Sequence, residues 1–420
     1  MTRREQLTTL AQWLGLGALV GVLSGAASAL FLWLLAHATG YRSAHPRLVW
    51  ALPLAGLVLG WVYERFGEPI KRGSDLIVDT IHDEGPTVPL RMAPMVLLGT
   101  VLTHLFGGSA GREGTAVQMG ASLAEAVAQR LKLSGPLRRQ VVAAGVAGGF
   151  SSVFGTPVAG AIFALEFISL GRIEYHALLP ALTAALVGAL TTRTLGVEHA
   201  FYPQVSYVEL TPGVIGKWVL FAIAIAIVTA TFIELTHALK KLGEQRVRRL
   251  PFRMMIGGGA VVLMWQLLGT SDYLGLGLEG IGRSFYDPLP SWAFAAKLLF
   301  TAVTLGAGFV GGEVTPLFFV GASLGSVLAH LLGLPLELGA GVGMAAVFAA
   351  ASNTPLALSI MAMELMGASV FPHVVIVCVL AYLFTGHRSI YPAQRLSRGK
   401  GGGLLAVPMA LRDLKAKRKD

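Results

Sequence analysis

Gly107-Gly108-Ser109-Ala110-Gly111-Arg112-Glu113-Gly114-Thr115 returns in altered form as Gly308-Phe309-Val310-Gly311-Gly312-Glu313-Val314-Thr315-Pro316, with Glu313 200 positions after Glu113. Each copy sets a glutamate among small residues inside apolar sequence, with a threonine two residues on. A carboxylate at membrane depth costs about 3 kcal/mol on insertion scales. Two of them in matching places of a duplicated chain point to an ion or proton site.

The duplication extends outward from these glutamates. Gly120-Ala121-Ser122-Leu123 matches Gly321-Ala322-Ser323-Leu324. Gly155-Thr156-Pro157 precedes Glu166 as Asn353-Thr354-Pro355 precedes Glu364, and Phe150 and Phe348 stand at equal distances before the two prolines. Three matches in one order at nearly constant offset divide the chain into halves of roughly 11–200 and 213–391. The expected organisation is a first membrane repeat over 1–210 and a second over 211–420, the latter with a short basic cytoplasmic tail. Similarity alone does not separate a parallel repeat from an inverted one. Transporters commonly use inverted repeats, with the site at their interface near the midplane.

Composition places the duplication in a bilayer. Of 420 residues, 54% are hydrophobic and 13% charged, about half the charge of a soluble domain. Apolar stretches recur at 11–36, 48–64, 92–106, 141–170, 176–196, 213–237, 254–269, 291–310, 317–351 and 355–386. A spanning helix needs about 20 apolar residues, so the chain reads as a polytopic membrane protein. The first stretch is too long for a signal-peptide core and no clear cleavage site follows, so it reads as a membrane helix. Many segments are short and cut by Gly or Pro, as in broken helices. Many of the 52 glycines lie inside apolar runs, where they permit close helix packing. The single cysteine, Cys378, excludes an intrachain disulfide framework.

The net charge of +10 is unevenly placed: Arg3 and Arg4 at the start, Lys240, Lys241, Arg246, Arg248 and Arg249 past the middle, and Arg395, Arg398, Lys400, Arg412, Lys415, Lys417, Arg418 and Lys419 at the end. A nucleic-acid arm is one reading; the positive-inside rule is preferred. Both termini are then cytoplasmic, with an even number of crossings.

Around Glu113 a glycine-rich loop feeds an apolar helix over 116–128. A helix start carries unpaired N–H groups and about +0.5 charge, and it attracts anions. Glu113 is the resident anion when nothing else is bound; the plainer alternative is a glutamate that only complements the dipole. Glu313 has the same build, with Pro316 tolerated in the first turn and Thr315 as a hydroxyl donor. A protonated carboxyl donates a hydrogen bond whereas the ionised form only accepts, so a pair of them can move a proton and hold an anion at one site. Ser74 and Asp75, in Lys71-Arg72-Gly73-Ser74-Asp75, read as helix caps or, for Ser74, as a hydroxyl aimed at an anion. Tyr391 reads as an interface aromatic or a phenol donor in the pathway. Glu166 and Glu364 are expected to be structural rather than proton relays. His37, His82, His104, His237 and His330 show no metal-ligand spacing.

With these motifs assembled, the chain resembles the CLC family of anion channels and antiporters over almost its whole length. Gly111-Arg112-Glu113-Gly114 matches the family's loop bearing the gating glutamate, Gly73-Ser74 its first anion-coordinating loop, and Tyr391 its pore tyrosine. The resemblance implies an all-α polytopic membrane protein with the CLC-type inverted-repeat fold of broken and re-entrant helices, a homodimer with one pathway per subunit, and no cofactor. It implies gating at Glu113, and with the residue reading of the carboxyl pair the expected gating and proton-transfer residues are Glu113 and Glu313. Ser74, Thr315, Tyr391, Gly111, Arg112, Gly114 and Val314 would bind the anion, with Asp75 and Thr115 as weaker candidates.

The departures from the family pattern carry the substrate reading. Thr115 stands where most members have proline, and Glu313-Val314-Thr315 replaces the usual phenylalanine motif. Phe167 occupies the place of a second proton glutamate. Together these resemble the fluoride/proton antiporter branch, which exports fluoride in exchange for protons and gives fluoride resistance. Ser74 is the chloride-type residue and supports the alternative, a chloride channel or chloride/proton antiporter. Fluoride is strongly hydrated and leaves water only for short, strong donors. An intramembrane hydrolase would need a nucleophile with a base, or a motif such as H-E-x-x-H, and none is present, so no enzymatic activity is expected. A regulatory membrane protein would not need symmetric helix-start glutamates. The expected location is a bacterial inner membrane, since no long cytoplasmic regulatory domain is evident. The expected partners are fluoride, protons, lipid and a second copy of the chain, and not nucleic acid.

Overall fold

The apolar run over 141–170 folds as two helices, α-helical over Gly135–Phe154 and again over Pro157–Glu166. In the structure, a computed structural model that describes residues 2–82, 86–170 and 175–417, the run breaks at Gly155. That glycine adopts φ +73°, the left-handed conformation that ends a helix and that favours glycine. Pro157 then opens the next helix, where its missing N–H is no loss. The second half breaks at the matching place, with Asn353 at φ +59° and Pro355 next.

The same order of helices occurs in both halves. The first contains α1 (Arg3–Ala44), α2 (Leu52–Phe66), α3 (Ser74–Ile81), α4 (Met92–Leu105), α5 (Glu113–Arg130), α6 (Gly135–Phe154), α7 (Pro157–Glu166) and α8 (Leu178–Thr194). The second contains α9 (Pro212–Arg246), α10 (Leu250–Leu268), α11 (Leu278–Arg283), α12 (Ala293–Ala307), α13 (Val314–Leu332), α14 (Leu336–Ser352), α15 (Pro355–Met366) and α16 (Phe371–Phe384). The fold is not purely helical: β1 (Ser169–Leu170), β2 (Arg395–Arg398) and β3 (Leu404–Ala410) form a small sheet, followed by α17 (Leu411–Lys417). Strand β1 pairs parallel with β2, and β2 antiparallel with β3. Arg418 and Lys419 of the basic tail lie outside the described residues.

Among the described residues, six segments are long and apolar enough to cross a membrane by length and composition: Arg3–Ala44, Pro46–Phe66, Tyr175–Thr194, Pro212–Arg246, Leu250–Leu268 and Val314–Leu332. Others are too short. Helix α7, with ten residues, is about 15 Å long at 1.5 Å per residue, half of a roughly 30 Å hydrocarbon core. Such helices stop inside the bilayer, and their ends must be satisfied by protein.

The ends of α7 and α15 satisfy each other. Glu166, at the last turn of α7, accepts from Leu356 N at 3.3 Å and Ala357 N at 2.8 Å at the start of α15. Glu364, near the end of α15, accepts from Val158 N at 3.0 Å and Ala159 N at 2.8 Å at the start of α7. Each contact maps onto the other by the repeat offset. Equivalent helices therefore run antiparallel, which a repeat axis along the membrane normal cannot produce. The repeat is inverted.

Glycines bring the backbones together. A Cβ on Gly145 of α6 would meet Ala124 Cβ of α5 at 2.6 Å, and one on Gly343 of α14 would lie 2.9 Å from the Gly325 Cα of α13. Helix α8 lies parallel to α1: Gly17 faces Pro180 and Thr183, and Gly25 faces Gly188 and Thr191. The strand β1 just before α8, and the C-terminal strands paired with it, thus lie toward the face on which α1 begins.

Candidate functional site: a pair of facing helix starts

The two glutamate loops meet. Gly111 N donates to Gly312 O at 2.6 Å and Gly312 N to Gly111 O at 2.9 Å, a two-residue antiparallel bridge. A side chain at Gly111 would meet Gly312 O and Pro316 Cδ at 3.0 Å and Glu113 Oε2 at 3.1 Å, so the approach requires glycine. The bridge sets the first turns of α5 and α13 against each other. First-turn N–H groups have no partner in their own helix, so both free ends open onto one small volume.

Glu113 occupies it. Its side chain is 1% exposed, yet its carboxylate crosses the repeat boundary. Thr315 Oγ1 lies 2.6 Å from both carboxylate oxygens, and Thr315 N donates to Oε2 at 3.1 Å. Arg112 N donates to Oε2 at 3.2 Å, and Arg112 Nε lies 3.5 Å from Oε1. A hydrogen bond to a charged group is worth about 1.5–3 kcal/mol. Three such donors offset the penalty of a carboxylate at this depth. Glu113 thus sits where α13 offers its N-terminus to an anion.

The symmetry of sequence does not extend to the threonines. Thr115 does not meet the Glu113 carboxylate as Thr315 does: its hydroxyl pairs with Thr100 Oγ1 of α4 at 2.7 Å and ties α5 to α4. Glu313 caps α13 and remains partly exposed. Its carboxylate faces its own backbone N–H, and its Oε2 lies 3.9 Å from where a Gly114 Cβ would be. One glutamate is clamped by the other repeat and its counterpart is not.

Tyr391, buried at 4% exposure, lies within electrostatic range of Glu313, Glu113 and Asp75 together, and its ring stands edge-on to Phe167 at 4.8 Å. Ser74 is the first residue of α3 and no cap, because Gly73 at φ +54° takes the cap position. Its hydroxyl accepts from Gln118 Nε2 at 3.4 Å. Asp75 is committed elsewhere: Oδ1 accepts from Ala393 N at 2.9 Å, so it anchors the segment after Tyr391 and offers no donor to an anion. Gly111 likewise spends its N–H on the bridge. Gly114 and Val314 remain in the two free first turns.

Sequence reasoning passed over two residues here. Gln118 is an amide among the small and apolar residues of the first turns of α5, and that contrast was the available signal. Asp79 is buried and bound by Arg72, by Arg395 at 3.2 Å and by Arg412 at 3.1 Å. It fastens the basic C-terminal segment beneath α3, so part of that charge is internal structure as well as a topology signal. No group of three or more metal-ligating side chains occurs among the described residues.

The family model described as "Voltage gated chloride channel" matches residues 55–386. This chain belongs to that family. Within the CLC family, a protein of Pseudomonas syringae pv. tomato named "Chloride/fluoride channel protein" is 44% identical over 98% of this chain and 93% of its own length. The crystal structure of a CLC-type fluoride/proton antiporter superposes with a TM-score of 0.90 at 38% identity, covering 94% of this chain and all of that one. A slow cyanobacterial Cl-/H+ antiporter shares the fold with a TM-score of 0.78 at 18% identity, over 89% of this chain and 94% of that one.

Proposed function

We propose that the chain is a fluoride/proton antiporter that expels fluoride from the cytoplasm as protons enter, and so confers fluoride resistance. The observation that carries this is the seat of Glu113 on Thr315. A carboxylate held by a hydroxyl and a backbone N–H at a helix start occupies the donors that a small, strongly hydrated anion needs. Fluoride and the Glu113 carboxylate compete for them. A protonated Glu113 no longer needs the seat, and an anion taking its place favours the protonated acid. Binding of the anion and uptake of the proton then go together. Glu313, unclamped beside the same helix starts, is the second proton carrier in place of the missing glutamate at Phe167. Ser74, Tyr391, Gly114 and Val314 line the route on the side of Asp79 and the C-terminal segment. The similarity to a protein named as a chloride/fluoride channel and to a fluoride/proton antiporter of known structure supports the choice of ion.

In this reading the protein lies in a bacterial inner membrane with both termini cytoplasmic, acts as a homodimer and consists of repeats 1–210 and 211–420. Ser74 favours a second reading, chloride transport on the same scaffold. Flux from proteoliposomes, followed with fluoride and chloride electrodes under an imposed pH gradient, decides between them. Glu113→Gln should abolish uphill fluoride movement driven by protons. Coupled fluoride efflux surviving in that variant would refute the role given to Glu113.

A further inference from the structure

His104 ends α4 and is 0% exposed. Its Nδ1 lies 2.8 Å from Thr100 O and its Nε2 2.9 Å from Ala110 O. Carbonyl oxygens only accept, and a neutral imidazole carries one N–H and one bare lone pair. Neither tautomer can satisfy both carbonyls, whereas the imidazolium, with two N–H groups, satisfies both. The two carbonyls are not equivalent. Thr100 O belongs to the same helix; Ala110 O belongs to the loop that reaches Gly111, the Gly111–Gly312 bridge and Glu113.

Opposing influences meet at this ring. Burial out of water is the largest and favours the neutral form, while two charge-assisted hydrogen bonds favour the charged form. Arg42 from α1 and Lys297 from α12 lie within electrostatic range and, where they carry charge, press against a further positive charge. Lys297 is fully buried and donates to Tyr273 O and Gly275 O. The remaining neighbours of the loop are neutral: Ser109 Oγ meets Thr301 Oγ1 at 2.9 Å, and Thr304 Oγ1 accepts from Ser109 N at 3.1 Å. Beyond the bridge stand Arg112 and Glu113, already paired with each other.

We infer that His104 is a positioning residue that fastens the Glu113 loop by means of a proton. With the ring doubly protonated, the Ala110 carbonyl is tied to α4 and the bridge is held in place beneath Glu113. With one proton lost, the ring keeps its bond to one carbonyl and the loop is tied less firmly. Arg42 ends the helix that begins at the N-terminus, so His104 lies toward the face opposite the termini. Under the orientation proposed above that is the outer face, and outside pH sets the state of the ring. This inference rests on the transport reading only for its functional consequence.

Two measurements test it. Nitrogen-15 solid-state NMR of the reconstituted full-length protein, with the His104 signals assigned by difference from His104→Gln, reads the ring directly. Two protonated nitrogens at pH 5 and loss of one on raising the pH support the inference; a neutral ring at pH 5 overturns it, whatever the protein transports. In proteoliposomes, wild-type fluoride flux should show a step with outside pH that is lost in His104→Gln, whose side chain cannot change protonation. A purely structural role would lower flux at every pH and leave the step, which also overturns the inference. Absence of fluoride flux from the wild type refutes the transport reading and leaves the NMR result to stand.

Discussion

Replacing Thr315 by valine removes one hydroxyl and almost no volume. In the structure that hydroxyl reaches both oxygens of Glu113 at 2.6 Å, but it has a single hydrogen, so one charge-assisted bond is lost. Such a bond is worth about 1.5–3 kcal/mol, or roughly tenfold to 150-fold in an equilibrium constant. The backbone N–H of Thr315, 3.1 Å from Oε2, survives, so the seat is weakened and not abolished. If fluoride uses the same donors, its half-saturating concentration should rise by at least about tenfold in Thr315→Val, while Thr315→Ser stays within about threefold of wild type. Chloride, which needs strong donors less, should lose less, so discrimination between the two ions should narrow. Initial rates from proteoliposomes over a range of internal fluoride, read by electrode, give the number. A valine variant with wild-type concentration dependence would show that the ion does not visit the Thr315 donors, and the competition between Glu113 and fluoride would have to be abandoned.

Two other expectations follow from groups outside that seat. Glu166→Leu leaves the N–H groups of Leu356 and Ala357 unpaired, so it should destabilise the protein by about 2–4 kcal/mol. Glu364→Leu should cost less, because Glu364 is partly exposed; heating in detergent with the surviving monodisperse fraction as readout compares them, and equal tolerance of both would contradict the capping role. Burial and the nearby Arg388 push Lys400 down to about 7, against the pull of its bond to Tyr382 O and its seat over the Tyr382 ring. The unfolded chain then binds more protons at Lys400 between pH 7 and about pH 10, so folded stability should rise with pH across that window. Lys400→Met should lack that rise, and the same slope in both proteins would exclude it.

Much of the architecture was legible because it rests on patterns that survive in one dimension. Apolar runs marked the bilayer segments, and the offset between Glu113 and Glu313 marked the duplication. What the sequence concealed were relations across the repeat boundary. Nothing local says that Glu113 bonds Thr315, 202 positions away, and not Thr115, two away. The two threonines look equivalent, but Thr100 claims one of them. Gly155-Thr156-Pro157 stood out as a repeated motif, but hydropathy ran on across it, because hydropathy does not register a left-handed backbone. Ser74 looked like a cap until Gly73 took that position. For His104 the sequence offered only the absence of metal-ligand spacing, since its unusual feature is the sum of two carbonyls brought from separate elements.

The reciprocal caps of α7 and α15 have a consequence for how the protein is made. When α7 leaves the ribosome, the carboxylate that will cover its first N–H groups is about 200 residues from being synthesised. Those groups cannot sit bare in hydrocarbon. Helix α7 must therefore wait at the interface, or in the translocation machinery, until α15 arrives, and α15 in turn needs Glu166 already in place. The membrane core closes in one late step, and a chain truncated before α15 should be recognised as unfinished however much of its first half has been inserted.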